Sequence, residues 1–438
     1  MHDIDTTVAA IATPPGRGGI AIVRISGPDS KRILKQAFAP ARAGARFMSS
    51  RMVYGHVTGE DGRPLDEAMA VFFKAPRTYT RQDVAEIHTH GGLAAEAVLK
   101  RALSLGDAPA ERGEFTYRAF INGRIDLSEA QAVMDVISAD SAAALRNSVD
   151  RLRGGESGFI SEIKQRLLSL TALIDAQSDF PEEIDEGDTL LSIRKAGNEM
   201  ISRLESAADP ARARIISQGA RAVICGRANA GKSSLMNALL RTERAIVTDI
   251  PGTTRDEISE VIEINGVKLT LTDTAGIRET GDPIEKIGVE RAKKLIDTAD
   301  AVILLLDGSR PLNDEDRQLL AMKDERFIVC RSKDDLETCP HAADLVISAR
   351  TGEGLKELTD AIYSKLPLKE DDGALISLRH MDAADRALTA LKRAVSAPYL
   401  PLARQDITDA LAAIGEITGE TLGEDAISLM FESFCVGK

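Results

Sequence analysis

The chain has 438 residues, 43% hydrophobic and 28% charged, with a formal net charge of −13. That composition is globular, the length suits two to four domains, and the acidic balance argues against broad, non-specific nucleic-acid binding. Cys225, Cys330, Cys339 and Cys435 form no Cys-x-x-Cys pair and no disulfide-like framework, which points to a reducing, cytoplasmic setting; no run is long and apolar enough to span a membrane, and no signal peptide opens the chain.

Residues 1–118 read as a mixed α/β domain. Apolar alternation predicts strands over 7–12, 19–25, 52–57, 68–73 and 84–89, and helices over 30–38 and 93–105. The Gly-, Asp- and Pro-rich stretch 58–64 predicts a turn. From 119 to 213 the character becomes helical. Asp126-Leu127-Ser128-Glu129 has the form of a capping box. Leu127, Ala130, Met134 and Ile137 then make an amphipathic stripe expected to continue through Ser141 to Ala144. A second stripe runs through Ile160, Ile163, Leu167, Leu170 and Ile174.

Residues 214–367 alternate strands and helices, and helical stripes resume over 368–438 at Ala384, Leu388, Leu391 and Val395, then at Ile407, Ala410, Ile414 and Ile417. Helical sequence on both sides predicts an α/β domain inserted into one helical bundle, leaving near Arg214 and returning near Leu368.

The chemistry sits in the insert. Gly226-Arg227-Ala228-Asn229-Ala230-Gly231-Lys232-Ser233 is a complete P-loop between the apolar run 222–225 and helix-forming sequence from Ser234. Strand, Gly-rich loop and helix N-terminus aim N–H groups at phosphate. Lys232 would reach the outer phosphates, and the Ser233 hydroxyl would hold Mg²⁺. Asp273-Thr274-Ala275-Gly276 follows a strand that pairs back through an Asn265-Gly266 turn. Asp273 would hold Mg²⁺ through water, and the Gly276 N–H would sense the γ-phosphate. The segment Asp249-Ile250-Pro251-Gly252-Thr253-Thr254 has a switch composition, with Thr254 expected to complete the Mg²⁺ shell.

Guanine is the expected base. Ser332-Lys333-Asp334-Asp335 follows the strand 327–330, and a carboxylate at Asp335 can accept from two adjacent donors that adenine lacks. Ser348-Ala349-Arg350 would close over the base. GTPases commonly carry Asn-Lys-x-Asp here; this chain has Ser332 in place of Asn. Position 277 is Ile, so no carboxamide there orients the attacking water.

Taken together, Ala12-Thr13-Pro14-Pro15-Gly16-Arg17-Gly18-Gly19, Arg24-Ile25-Ser26-Gly27, Gly113-Glu114-Phe115-Thr116, the GTPase motifs and the ending Phe434-Cys435-Val436-Gly437-Lys438 resemble the tRNA-modification GTPase MnmE (TrmE) family over essentially the whole chain. The resemblance implies an N-terminal folate-binding-like α/β domain, a helical bundle and an inserted Ras-like P-loop GTPase domain. It implies GTP hydrolysis dependent on Mg²⁺ and on K⁺, with K⁺ held by Asn229, Thr248, Ile250 and Thr253. Glu285 matches the family's water-orienting glutamate. A 5-formyl-tetrahydrofolate or related folate would bind at Arg24, Glu86 and Arg124, with Lys438. Cys435 is linked by the resemblance to the modification reaction. The implied partners are a second copy through the N-terminal domain, tRNA, and an FAD-dependent MnmG (GidA) subunit in a heterotetramer. The rival class is a GTP-dependent RNA or ribosome assembly switch without covalent chemistry; it would need neither the folate-type domain nor Cys435.

Overall fold

The computed structural model describes residues 4–245, 259–274, 293–333, 336, 339, 342–368 and 377–437. Contacts divide the chain into two compact units, Met1–Met134 with Ala412–Lys438, and Asp135–Leu411.

The first unit is built on a seven-stranded sheet. In chain order its strands are β1 (Val8–Ile11), β2 (Ala21–Ser26), β3 (Phe38–Pro40), β4 (Val53–Thr58), β5 (Pro64–Phe73), β6 (Val84–Thr89) and β7 (Ala108–Pro109). Their order across the sheet is β3-β4-β5-β6-β2-β1-β7. Side chains alternate between faces along each strand. Val23, Ile25, Phe72 and Ile87 meet Ile33, Leu34, Val98 and Ala102 of two covering helices in one core. Arg24 and Glu86, directly paired in register across β2 and β6, fall on the opposite face. The helix expected over 30–38 stops at Ala37, and Phe38 opens a strand instead.

A second apolar cluster closes this unit. Asp126 and Glu129 exchange side chain-to-backbone bonds at 2.8 and 2.9 Å, the capping box read from the sequence. Leu127 and Ala130 of that helix pack with Phe431 and Phe434 near the C-terminus. The stripe expected to run on to Ala144 is broken. Its helix ends at Ser138, and a new helix, Ala142–Leu152, begins with the Ser141 side chain accepting from the Ala144 N–H at 3.2 Å. A Ser hydroxyl competes for backbone donors, so it caps here rather than continuing the helix. Ile137, at 44% exposure, does not join a core.

The second unit holds the other seven-stranded sheet and long helices. Its strands are β8 (Ala220–Cys225), β9 (Arg244–Ala245), β10 (Ser259–Ile264), β11 (Val267–Asp273), β12 (Ala301–Asp307), β13 (Phe327–Ser332) and β14 (Leu345–Val346). They order as β14-β13-β12-β8-β11-β10-β9. The five from β14 to β11 run parallel. Continuous apolar runs such as Ala301–Leu306 are what a sheet covered on both faces requires, and all of these are buried.

Among the helices, Leu378–Ser396 packs along Glu186–Ala207. Gly197 permits the close approach: a Cβ there would lie 2.3 Å from Val395. A buried charge network joins segments from either side of the α/β sequence. Glu156, at 1% exposure, accepts from Arg151 Nε at 2.8 Å and from His380 Nδ1 at 2.6 Å. Arg379 donates to His380 Nε2 at 2.7 Å, which fixes the neutral tautomer.

Candidate functional site

The P-loop site lies where the sheet order reverses. Strand β8 has β11 on one side and β12 on the other, and the crevice beyond such strand ends is where open α/β sheets bind ligands. The chain places its chemistry there strand by strand: the P-loop after β8, Asp273 ending β11, Asp307 ending β12, Ser332 ending β13 and Ser348 just past β14.

The loop geometry follows from its glycines. Gly226 has φ +144°, and a Cβ on it would sit 2.4 Å from the Leu305 carbonyl oxygen. Asn229 is exposed and left-handed, with φ +61°. Ala230 is buried, and helix Lys232–Thr242 begins directly after Gly231. Buried Lys232 donates to the Gly226 and Arg227 carbonyls at 2.7 and 2.8 Å, so its ammonium spans the loop mouth. Ser233 and Ser234 are exposed at the first turn.

Ser233 Oγ donates to Asp273 Oδ2 at 2.8 Å, and the Thr274 hydroxyl donates to the Ile224 carbonyl at 3.1 Å. A hydroxyl and a nearly buried carboxylate are the hard oxygen donors that Mg²⁺ prefers, so these residues fit the ion. When bound, the ion would supply positive charge beside phosphate oxygens. At the end of β13, Ser332 is buried and its Oγ reaches the Ala230 carbonyl at 2.7 Å and the Leu306 carbonyl at 3.1 Å. Lys333, at φ +62°, donates to Asp307 at 2.8 Å. Ser348 is buried, its Oγ accepting from the Thr351 N–H at 3.3 Å, with Ala349 partly buried and Arg350 exposed.

Two contributors were not singled out from the sequence. Asp307 receives Lys333 and Ser309, while Arg227 bridges it to Asp316 at 3.6 and 3.2 Å. Burial pushes the Asp307 carboxyl up, but the bonds from Lys333 and Ser309 outweigh it and hold the group at about 2. The available signal was an apolar run ending in an acid at a strand C-terminus. Cys225 and Cys330 are small core residues whose thiols burial pushes up to about 12.

A second constellation lies on the first unit's sheet. Arg24 Nε donates to Glu86 Oε1 at 2.9 Å, and Arg24 Nη1 to the Gly437 carbonyl at 3.4 Å. A cleft of about 500 Å³ is lined by Glu86, Arg124, Tyr79, Arg77, Phe73 and Val84. Arg24 does not line it but holds Glu86, which does. Arg124 lies over the Tyr79 ring at 4.7 Å. The C-terminal tail reaches the same face. Gly113 N–H donates to the Cys435 carbonyl at 3.2 Å, Val436 bridges to Arg112, and Gly437 is buried at φ +93°. A Cβ on Gly437 would meet the Ile11 carbonyl oxygen at 2.4 Å. Cys435 itself is exposed. One carboxylate, the guanidiniums of Arg77, Arg81 and Arg124, and an aromatic wall suit a planar heterocycle with paired donors and an anionic tail. His88 faces Glu86 at 3.4 Å, and His90 is bonded to Asp66 at 2.8 Å.

Thr248, Asp249, Ile250, Pro251, Gly252, Thr253, Thr254, Ala275, Gly276, Glu285, Asp335 and Lys438 lie outside the described residues.

Two family models match the chain: GTP-binding protein TrmE N-terminus over residues 7–124, and MnmE helical domain over 127–435. The tRNA modification GTPase MnmE of Roseiflexus sp. (strain RS-1) is 43% identical over 99% of both chains. This chain belongs to the MnmE family. The MnmE of Chloroflexus aurantiacus is 42% identical over 99% of this chain and 100% of its own. Among solved structures, the G domain of the T. maritima FeoB iron transporter is 25% identical, covering 33% of this chain and 98% of that chain with a TM-score of 0.25. MnmE membership accounts for an N-terminal unit and a P-loop sheet in one chain. Among the described residues no helix is long and apolar enough to cross a membrane.

Proposed function

We propose that this MnmE-family protein is the GTP-hydrolysing subunit of the complex that builds the carboxymethylaminomethyl-type group on carbon 5 of the tRNA wobble uridine. The observation that supports this reading is that one chain carries both a P-loop with its Ser233–Asp273 contact and a second cleft lined by Glu86, whose partner Arg24 also donates to the Gly437 carbonyl of the C-terminal tail. A nucleotide switch alone has no use for the second. In this reading residues 214–367 are the inserted GTPase domain, 1–118 the folate-binding and dimerisation domain, and 119–213 with 368–438 the helical domain.

Each residue has a part. Lys232 and the P-loop N–H groups would bind the phosphates, and Ser233, Thr254 and Asp273 would hold Mg²⁺. Asn229 with Thr248, Ile250 and Thr253 would hold K⁺, which would supply the positive charge an arginine finger gives elsewhere. Glu285 orients the attacking water, and Asp335 reads guanine. Glu86 accepts from a pterin edge while Arg24 and Arg124 neutralise the folate, which supplies the one-carbon unit. An FAD-dependent MnmG partner and tRNA complete the assembly in the cytoplasm.

Coupling between the parts has a physical basis in β11. Asp273 ends it at the nucleotide site, and at the other end Lys268 pairs with Asp140. Beside it the Ala143 N–H donates to Gly266 at 2.7 Å. A shift of β11 on hydrolysis would therefore pull on the helices. The exposed Tyr54 and Met69, paired in register on neighbouring strands, favour a self-association face on the N-terminal sheet. Mass spectrometry of tRNA nucleosides from cells without this gene tests the reading. Carboxymethylaminomethyl-type wobble uridines should vanish and return with the gene; unchanged uridines would overturn it.

A further inference from the structure

We propose that Ser332 sets the rate at which this protein releases guanine nucleotide, because it ties the base-recognition segment to the P-loop with one proton where two could be used. The inference rests on the nucleotide reading above and concerns a residue at which this chain departs from the common Asn-Lys-x-Asp pattern.

Ser332 is 5% exposed, so water does not compete for its hydroxyl. Two carbonyl oxygens lie within reach of Oγ, Ala230 in the P-loop at 2.7 Å and Leu306 near the end of β12 at 3.1 Å. A hydroxyl has one hydrogen to give, whereas a carboxamide has two N–H donors. Ser332 can serve only one of these carbonyls at a time. With the shorter bond to Ala230, it holds the base-recognition segment directly against the phosphate-binding loop.

This segment has a second, separate anchor. Lys333 and Ser309 both bond to Asp307, and Arg227 lies beside the same carboxylate. Removing the Ser332 bond therefore leaves the strand ends in place while loosening the link between P-loop and base segment. Nucleotide escape needs those two segments to part. The rate of escape, rather than the fold, is what the Ser332 bond controls. A serine here gives a weaker tie and faster exchange than an asparagine would, since it has one hydrogen to donate where a carboxamide has two.

The test is stopped-flow release of a fluorescent N-methylanthraniloyl-GDP from the full-length protein, as wild type, S332A and S332N. One hydrogen bond contributes about 0.5–1.5 kcal/mol net, a change of about threefold to tenfold in rate. S332A should release the nucleotide faster by that factor, and S332N slower. An unchanged rate in S332A overturns the proposal, whether or not the bulkier S332N folds. A folded S332N, with a wild-type melting curve, that releases no more slowly overturns it too. Failure of the wild type to bind the GDP analogue at all would instead overturn the nucleotide reading.

Discussion

Ser233 Oγ and Asp273 Oδ2 stand 2.8 Å apart, joining the first turn of the P-loop helix to the end of β11. In the proposed reading both groups serve the same Mg²⁺, so each should matter only when that ion is present. S233A is expected to lose more than tenfold in GTP affinity in Mg²⁺ and to match wild type in excess EDTA. Titration of nucleotide under the two conditions checks this; an equal loss in EDTA would assign Ser233 to the fold instead.

Arg24 meets Glu86 and the Gly437 carbonyl at once. R24A should weaken 5-formyl-tetrahydrofolate binding by about tenfold in isothermal titration, since the charge-assisted bond that holds Glu86 in the cleft contributes about 1.5–3 kcal/mol. R24K should recover only part, because an ammonium lacks the planar fork. GTP turnover should be the same in all three proteins.

Much of this was legible in the chain and some was not. The P-loop, the Asp126–Glu129 box and the Asn265-Gly266 hairpin depend on residues close in sequence, so local spacing suffices. Asp307 and Arg227 gain their importance only because β12 and β13 lie side by side, and Ser332 only because Ala230 faces it. The seat of Gly437 against Ile11 joins opposite ends of the chain, which no periodicity reports. At Ser141 periodicity misled, because a hydrophobic spacing continued past the point where a capping hydroxyl ended the helix.

Gly437 should tolerate no side chain. Its φ of +93° and the 2.4 Å approach of a Cβ to Ile11 leave no room for one. G437A should free the tail, seen as faster hydrogen exchange at the Gly113 and Val436 amides. The protein should lose uridine modification while retaining GTP hydrolysis. Slow exchange at Gly113 in G437A would show that the tail is held by other means.

His380 should make stability fall in mild acid. Burial holds its pKa below the usual imidazole value, although the Glu156 bond works in the other direction. The unfolded chain then takes up a proton that the folded one refuses, so stability drops as pH falls below about 6.5. Urea midpoints at pH 8 and pH 5.5 should differ less in H380N than in wild type. E156A should cost somewhat less than the about 3–5 kcal/mol of a broken buried pair, because Asp135 still faces Arg151 at 2.5 Å.

Asp107 shows the opposite sign. Both of its carboxylate oxygens lack a hydrogen-bond partner, and burial pushes the group up to about 7 against the pull of Arg32. Its contribution is fully present below the unfolded pKa near 4 and is lost as pH rises through 7. D107N should therefore melt higher than wild type at pH 8, by on the order of 2 kcal/mol, and the gap should close by pH 4. Parallel melting curves at both pH values would overturn this.

The Glu156–His380 contact can close only late in synthesis. The two residues are 224 positions apart in sequence, and everything from β8 to β14 is translated between them. Arg151 and Glu156 therefore leave the ribosome long before the partner that completes their network. The P-loop sheet, whose strands all lie within that interval, can form first. Its folding gathers in the intervening chain, so the closing helix arrives with most of the loop entropy already spent. Slowing translation just after β14 should favour native assembly, and a lesion in the nucleotide sheet should surface as a helical unit left open.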